Sequence, residues 1–213
     1  MSENELTKPG VFIIESLTIQ NEQDERYEGQ LISDILSLNQ IASQYYYIRT
    51  EKEFEHVLGI FYNSEYRYLH LSCHGDTSTI QLTLDNISYK QLSKHLESNL
   101  YKKRLFLSAC EATTDSLVKE IMPRSGCYSV IGPLNTIQFR DSAISWASFY
   151  YLMFRNNRKS MLRKDLIKGL QKTVNAFEQP MNYFSTSRKN TFGYKKLAIT
   201  PQQPQLAIAE EKY

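Results

Sequence analysis

RYLHLSCHGD, residues 67–76, and KRLFLSACEA, residues 103–112, decide how this chain is read. Each is an apolar run of strand length that stops on small and reactive residues: Ser72-Cys73-His74-Gly75 in one, Ser108-Ala109-Cys110-Glu111 in the other. Strands covered on both faces of a parallel sheet are apolar throughout, and these runs fit that pattern. Between them lie a short arm at residues 79–84 and an amphipathic stretch at 88–100, long enough for a crossover helix. Outward from this pair, residues 11–17, 45–49 and 127–132 read as further strands. The last of them is broken by Pro133 and a turn around Asn135. Helical spacing of apolar residues is found over 27–41, 51–61, 115–122, 141–154 and 161–177. Strands alternating with helices of this length predict βαβ units, hence one α/β domain with helices on both faces of a mostly parallel sheet. A weaker segment follows at 194–199, and the end of the chain, TPQQPQLAIAEEKY, has a disordered composition. The expectation is a single domain over residues 1–200 and a disordered tail over 201–213.

Composition narrows the class. Among 213 residues, 41% hydrophobic and 23% charged are ordinary values for a globular chain. A chain of this length buries roughly 70% of its unfolded surface, so neither disulfides nor a metal are needed for folding. No apolar run approaches the ~20 residues of a membrane span, and the start, MSENELTKPG, lacks the apolar core of a signal peptide. These features predict a cytoplasmic protein without membrane partners. Three cysteines without a CxxC pair agree with a reducing compartment. No metal site is expected, because only His70, Cys73 and His74 lie close together in sequence. Residues 1–60 carry 11 acidic and 4 basic side chains, whereas residues 155–172 are strongly basic. A solvated helix face explains that stretch more simply than nucleic acid does, since no Gly-rich phosphate loop accompanies it.

Functional groups of such sheets collect beyond the carboxyl ends of the strands. His74 and Cys110 stand at two of these ends, and if the strands are neighbours, both side chains can face one substrate. A thiol needs a base to become a nucleophile, and His74 can supply it and later protonate a leaving amine. Gly75 permits close backbone approach, so the N–H groups of Gly75 and Cys110 are the candidate oxyanion donors. Trp146, Phe149, Tyr150 and Phe154 form a helical stripe read as core. Tyr45–Tyr47 is read as strand packing, Cys73 and Cys127 as structural, and His70 as a satisfied interior histidine.

The stretch YLHLSCHGD … KRLFLSACEA … GCYSVIGPLNTI … SFYYLMF resembles the CHAT group of caspase-like cysteine peptidases, relatives of separase. The matching residues are His74-Gly75, Ser108-Ala109-Cys110-Glu111, Val130-Ile131-Gly132-Pro133-Leu134 and Phe149-Tyr150, and the likeness spans about residues 66–175. It implies a caspase-like three-layer α/β/α sandwich and a Cys110–His74 dyad without a cofactor. It also implies cleavage after one side chain held beside the cysteine. Asn135 stands where the family has Trp, and ungapped counting puts Phe139 where separase-like members carry an Asp that reads a basic side chain; Asp141 lies two residues on. With Asp141 in the pocket a cleaved Arg or Lys is expected, and with Phe139 an apolar or small residue. Glu111 is a further candidate for substrate contact.

The implied function is a cysteine endopeptidase acting on a protein partner and activated in trans by a protein or ligand. Stand-alone bacterial members suggest an effector in antiviral defence or regulated death. The alternative is a catalytically idle CHAT-like scaffold that binds proteins. A third option, a nucleic-acid-binding domain using the 155–172 face, is the weakest.

Overall fold

The computed structural model describes residues 7–187, 189–191 and 193–202. Most of the tail expected to be disordered lies outside these residues. In chain order the elements are β1 (Lys8–Glu15), α1 (Ile19–Gln23), α2 (Glu28–Leu38), β2 (Ser43–Tyr47), α3 (Glu51–Asn63), β3 (Tyr66–Ser72) and β4 (His74–Gly75). There follow β5 (Thr79–Gln81), β6 (Asn86–Ser88), α4 (Tyr89–His95), β7 (Arg104–Ser108), α5 (Asp115–Ser125) and β8 (Ser129–Pro133). The chain closes with α6 (Phe139–Asn156), α7 (Arg163–Phe177), β9 (Met181–Thr186) and β10 (Tyr194–Ile199).

Seven strands form one sheet in the order β10-β9-β8-β7-β3-β1-β2. The five from β2 to β8 are parallel, and β9 and β10 are antiparallel additions. Strand alternation divides the core in two. Phe12, Ile14, Leu105, Leu107 and Val130 point to one face, where they pack with Phe54 and Phe61 of α3, Leu92 of α4 and Leu117 of α5. Val11, Ile13, Phe106 and Ile131 point to the other, against Ile32 of α2, Trp146 and Phe149 of α6 and Leu170 of α7. The result is a three-layer α/β/α sandwich around a mostly parallel sheet. The stripe Trp146, Phe149, Tyr150 and Phe154 is buried as core.

Local chemistry sets the helix starts. Thr50 and Ser88 form reciprocal capping boxes with Glu53 and Gln91, satisfying N–H groups the first turns leave open. Pro133 ends β8 in register with Met181 of β9 instead of standing outside the strand. Leu134 N–H bonds to the Pro180 carbonyl, so Pro133 sits at a non-hydrogen-bonded pair and its missing donor breaks no bond to β9. Residues 79–81 pair with β4 and β6 in a separate three-stranded sheet. The strand β9 and the short helix α1 were not expected from the sequence.

Gly132 marks the tightest packing. A Cβ there would lie 2.0 Å from Thr113 Oγ1 and 2.4 Å from the Leu107 carbonyl oxygen, and the latter is backbone and has nowhere to go. Gly132→Ala is expected to lower Tm by roughly 5–10 °C, the effect of an overpacking cost of about 2–3 kcal/mol in a domain this size. Differential scanning calorimetry measures it.

Candidate active site

The site grows from the pairing of β3 with β7, which sets Ser72 beside Ser108 at their carboxyl ends. One further ladder bond, Cys73 N–H to the Ser108 carbonyl at 3.1 Å, carries the register past the strand ends. His74 and Cys110 follow at once, and both side chains line one cleft of about 370 Å³.

His74 belongs to β4, whose partner is β5 through His74↔Gln81 and Gly75↔Ile80. Asp76 N–H donates to the Thr79 carbonyl at 3.1 Å. Antiparallel pairs alternate, so Gly75↔Ile80 is the non-hydrogen-bonded pair and the Gly75 N–H points out of this ribbon. A Cβ on Gly75 would meet the Cβ atoms of Ala109 and Ala112 at 3.2 Å each, so glycine lets the ribbon lie close to the cysteine loop. Burial holds His74 below the ordinary histidine pKa, which keeps the ring neutral at pH 7. Asn21 Nδ2 lies 2.7 Å from His74 Nε2. Asn21 is placed by Thr18, the N-cap of α1, whose hydroxyl accepts from the Asn21 N–H at 3.2 Å.

The cysteine loop is pinned from across the cleft. Cys110 Sγ donates to the Ile137 carbonyl at 3.4 Å, and Thr136 Oγ1 donates to Glu111 Oε1 at 2.8 Å. Glu111 itself has φ 54°, a left-handed conformation that is uncommon away from glycine. It fixes the turn that presents the thiol.

The cleft that His74 and Cys110 line also holds a buried acidic centre. Glu28, 3% exposed, accepts from Ser108 Oγ at 2.7 Å, from Ser72 Oγ at 3.0 Å and from Ser142 Oγ at 3.1 Å. Glu15, fully buried, accepts from the Gly29 N–H at 2.8 Å and from Tyr45 OH at 2.8 Å. Among the described residues, no cation is a hydrogen-bond partner of either carboxyl. Desolvation pushes Glu28 up to about 7, with Glu15's charge adding to the rise, and burial raises Glu15 as well. Glu28 lines the cleft with Ser72, Ser108 and Ser142, while Leu17, Ile137 and Phe139 supply apolar wall.

The expected site residues are distributed as follows. His74, Cys110 and Phe139 line the cleft. Glu111 is exposed beside it, through Thr136. Asn135 is exposed and outside the lining, and Asp141, in the first turn of α6, pairs with its neighbour Arg140 at 3.4 Å. Cys73, read as structural, also lines the cleft, and burial raises its thiol pKa to about 12. His70 is only half satisfied: Nδ1 meets Tyr150 OH at 3.0 Å, Nε2 has no partner, and burial lowers its pKa to about 3. Among the described residues, no three His, Cys, Asp or Glu side chains are grouped as metal ligands, and no helix is long and apolar enough to cross a membrane.

No family model matches the sequence, and no curated protein matches it. Solved structures do match. One is a secreted C11 cysteine protease from Bacteroides thetaiotaomicron in complex with an irreversible peptide inhibitor, with TM-score 0.56 and 9% sequence identity. The match covers 83% of this chain and 66% of that one, so about a third of the protease has no counterpart here. The chain therefore has the caspase-like α/β fold of such proteases.

Proposed function

We propose that the protein is a cysteine endopeptidase that cleaves a protein partner after a basic residue, using Cys110 and His74. One observation carries the reading: thiol and imidazole line the same cleft, and its floor is a buried carboxyl that, among the described residues, is hydrogen-bonded by serine hydroxyls and not by a cationic side chain. The CHAT-like motifs and the C11-like fold both support the caspase-type class.

Neutral His74 takes the Cys110 proton as the thiolate attacks the scissile carbonyl carbon. The N–H groups of Gly75 and Cys110 receive the developing oxyanion. The imidazolium returns its proton to the leaving amine, which departs with the C–N bond's electron pair. A water, deprotonated by His74, then hydrolyses the thioester and frees the cysteine. Asn21 is the positioning residue. In the structure Asn21 Nδ2 is the atom on Nε2; a half-turn of the amide puts Oδ1 there instead, where it accepts from Nε2–H and leaves the Nδ1 lone pair for the thiol. Asn21→Ala is expected to lower kcat roughly 10- to 100-fold with little change in KM. Asn21→Asp places a carboxylate on the ring and moves the acid limb of the kcat/KM profile up by about one pH unit, a shift that a merely structural role would not produce.

Glu28, in place of Asp141 or Phe139, is the residue that reads the basic side chain, while Phe139 packs along its aliphatic stem. The Cys110 thiol donates its hydrogen to the Ile137 carbonyl, a resting arrangement in keeping with activation in trans. Cytoplasmic action as a bacterial defence effector belongs to the same proposal and rests on the motif resemblance.

A peptidyl arginine ketone that alkylates thiolates tests the assignment. The expected result is one adduct, on Cys110, seen by intact and peptide mass spectrometry and absent in His74→Ala. An adduct on Cys73 or Cys127, or equal labelling of His74→Ala, would refute the dyad.

A further inference from the structure

A second cleft, of about 780 Å³, opens at the opposite end of the sheet. It lies where β3, β7 and β8 begin and where α7 starts, separated from the dyad by the length of β3, roughly 20 Å for a strand of this size. Its lining carries four cations, Arg67, Lys102, Arg104 and Arg163, and no carboxylate among the described residues.

The two central guanidinium groups are held by neutral acceptors. Arg104 donates to Ser129 Oγ at 2.8 Å and to the Met161 carbonyl at 3.1 Å. Arg67 donates to Thr7 Oγ1 at 2.9 Å, to the Thr7 carbonyl at 2.8 Å and to the Lys159 carbonyl at 3.0 Å. A guanidinium has five N–H groups, so each of these contacts fixes orientation while leaving further donors for a ligand. Arg163 opens α7, a helix of 15 residues whose N-cap, Leu162, provides no side-chain acceptor, so the first-turn N–H groups add to the positive field. Tyr128, 43% exposed, forms part of the wall with the Arg104 guanidinium 5.9 Å from its ring. Asp165, in the first turn of α7, is not part of the lining.

We propose that this cleft binds a compact polyphosphate ester or polyphosphate chain, held by Arg67, Arg104 and Arg163, at a site independent of the peptidase centre. Oriented guanidinium groups suit the paired oxygens of adjacent phosphates. The concave shape favours a compact anion over an extended strand, which would need a track of charge and stacked rings. This assigns part of the basic stretch at 155–172 to a ligand site and the rest to solvated surface.

Isothermal titration calorimetry of the intact chain with sodium tripolyphosphate and with ATP, at low and at physiological salt, tests the proposal. Saturable one-to-one binding that weakens with salt and raises Tm by about 3 °C or more is expected. Equal affinities would identify the phosphate chain as the whole ligand. Tighter ATP binding, lost in Tyr128→Ala, would add a stacked base, and both results support the site. Arg163→Glu should weaken binding at least ten-fold. It preserves folding, because an acid is favoured in a first helical turn. Arg104→Lys, which keeps the charge and loses the fork, should weaken it too, whereas Cys110→Ala should bind as wild type does. No binding of either anion, or Arg163→Glu within two-fold of wild type, would overturn the proposal. So would a single-stranded oligonucleotide that binds more tightly than both.

Discussion

Cys110→Ala is expected to remove peptide-bond cleavage almost entirely, lowering kcat/KM by roughly 10⁴-fold or more, because in the proposed mechanism Cys110 is the residue that carries the acyl intermediate. His74→Ala should produce a loss of similar order, and the double variant should be little worse than either, since the two residues act as a unit. Neither loss is one of folding. His74 and Cys110 are half-buried, and their removal leaves both core clusters untouched. Urea denaturation midpoints within about 0.3 M of wild type would separate chemistry from stability. A Cys110→Ala variant that still cut peptides at the same bonds would show that another group is the nucleophile.

Glu28→Gln is expected to have opposite effects on specificity and stability. The carboxyl is buried and titrates at about 7. In the proposed reading its charged form pairs with an entering guanidinium or ammonium, and the hydroxyls of Ser72, Ser108 and Ser142 that bond to it can rotate to suit either protonation state. Removing the charge should cost roughly 100-fold in kcat/KM for substrates with Arg or Lys at the cleaved position, the magnitude of a desolvated charge-assisted bond. Cleavage after an apolar residue should change little.

The same group imposes a pH dependence with a defined sign. In wild type, the ratio of basic to apolar cleavage should fall as pH drops through about 7, where Glu28 takes up its proton. Taking the ratio removes the His74 limb, which is common to both substrates. For stability the direction is reversed. The folded-state pKa lies above the ordinary carboxyl value, so folding takes up a proton between the two. Stability conferred by the neutral form is full below about pH 4.5 and is lost as pH rises toward 7, amounting to about 3 kcal/mol. Glu28→Gln does not carry this loss, so its Tm should exceed that of wild type at pH 8 and approach or fall below it at pH 5. A variant less stable than wild type at pH 8, with unchanged selectivity, would mean that Glu28 is only a framework residue.

Sequence and structure agree where periodicity carries the information. The runs that became β3 and β7 are apolar on both faces, and Arg104–Ser108 was delimited without error. The α6 stripe at helical spacing made Trp146 and Phe149 legible as core. His74 and Cys110 were legible because reactive residues followed strand ends directly. Asn21 was not, since α1 has five residues, IQNEQ, no apolar face and no buried residue. Only tertiary folding brings it across 53 positions to His74. Glu28 was hidden for a related reason. It begins α2, where an acid usually serves the helix dipole, and nothing local shows that the serines of β3, β7 and α6 converge on it. A faint signal existed in Glu15, an acid inside an otherwise apolar strand. Of the candidates beyond β8, Phe139 lines the cleft and Asn135 and Asp141 do not, while the buried acid of the same cleft comes from α2. Strand β9, six residues long, escaped because it is antiparallel and follows a helix that has no second parallel partner to announce it.

The most direct test of the central claim is digestion of a proteome-derived peptide library, with cut sites read by mass spectrometry. Wild type would be run beside Cys110→Ala and Glu28→Gln, each with and without lysate from the source cells to supply an activator. The account predicts cuts made by wild type, absent with Cys110→Ala, preceded by Arg or Lys, and depleted of that preference with Glu28→Gln. No cuts by wild type even with lysate, or the same cuts from Cys110→Ala, would contradict it and leave a caspase-like fold that serves as a scaffold.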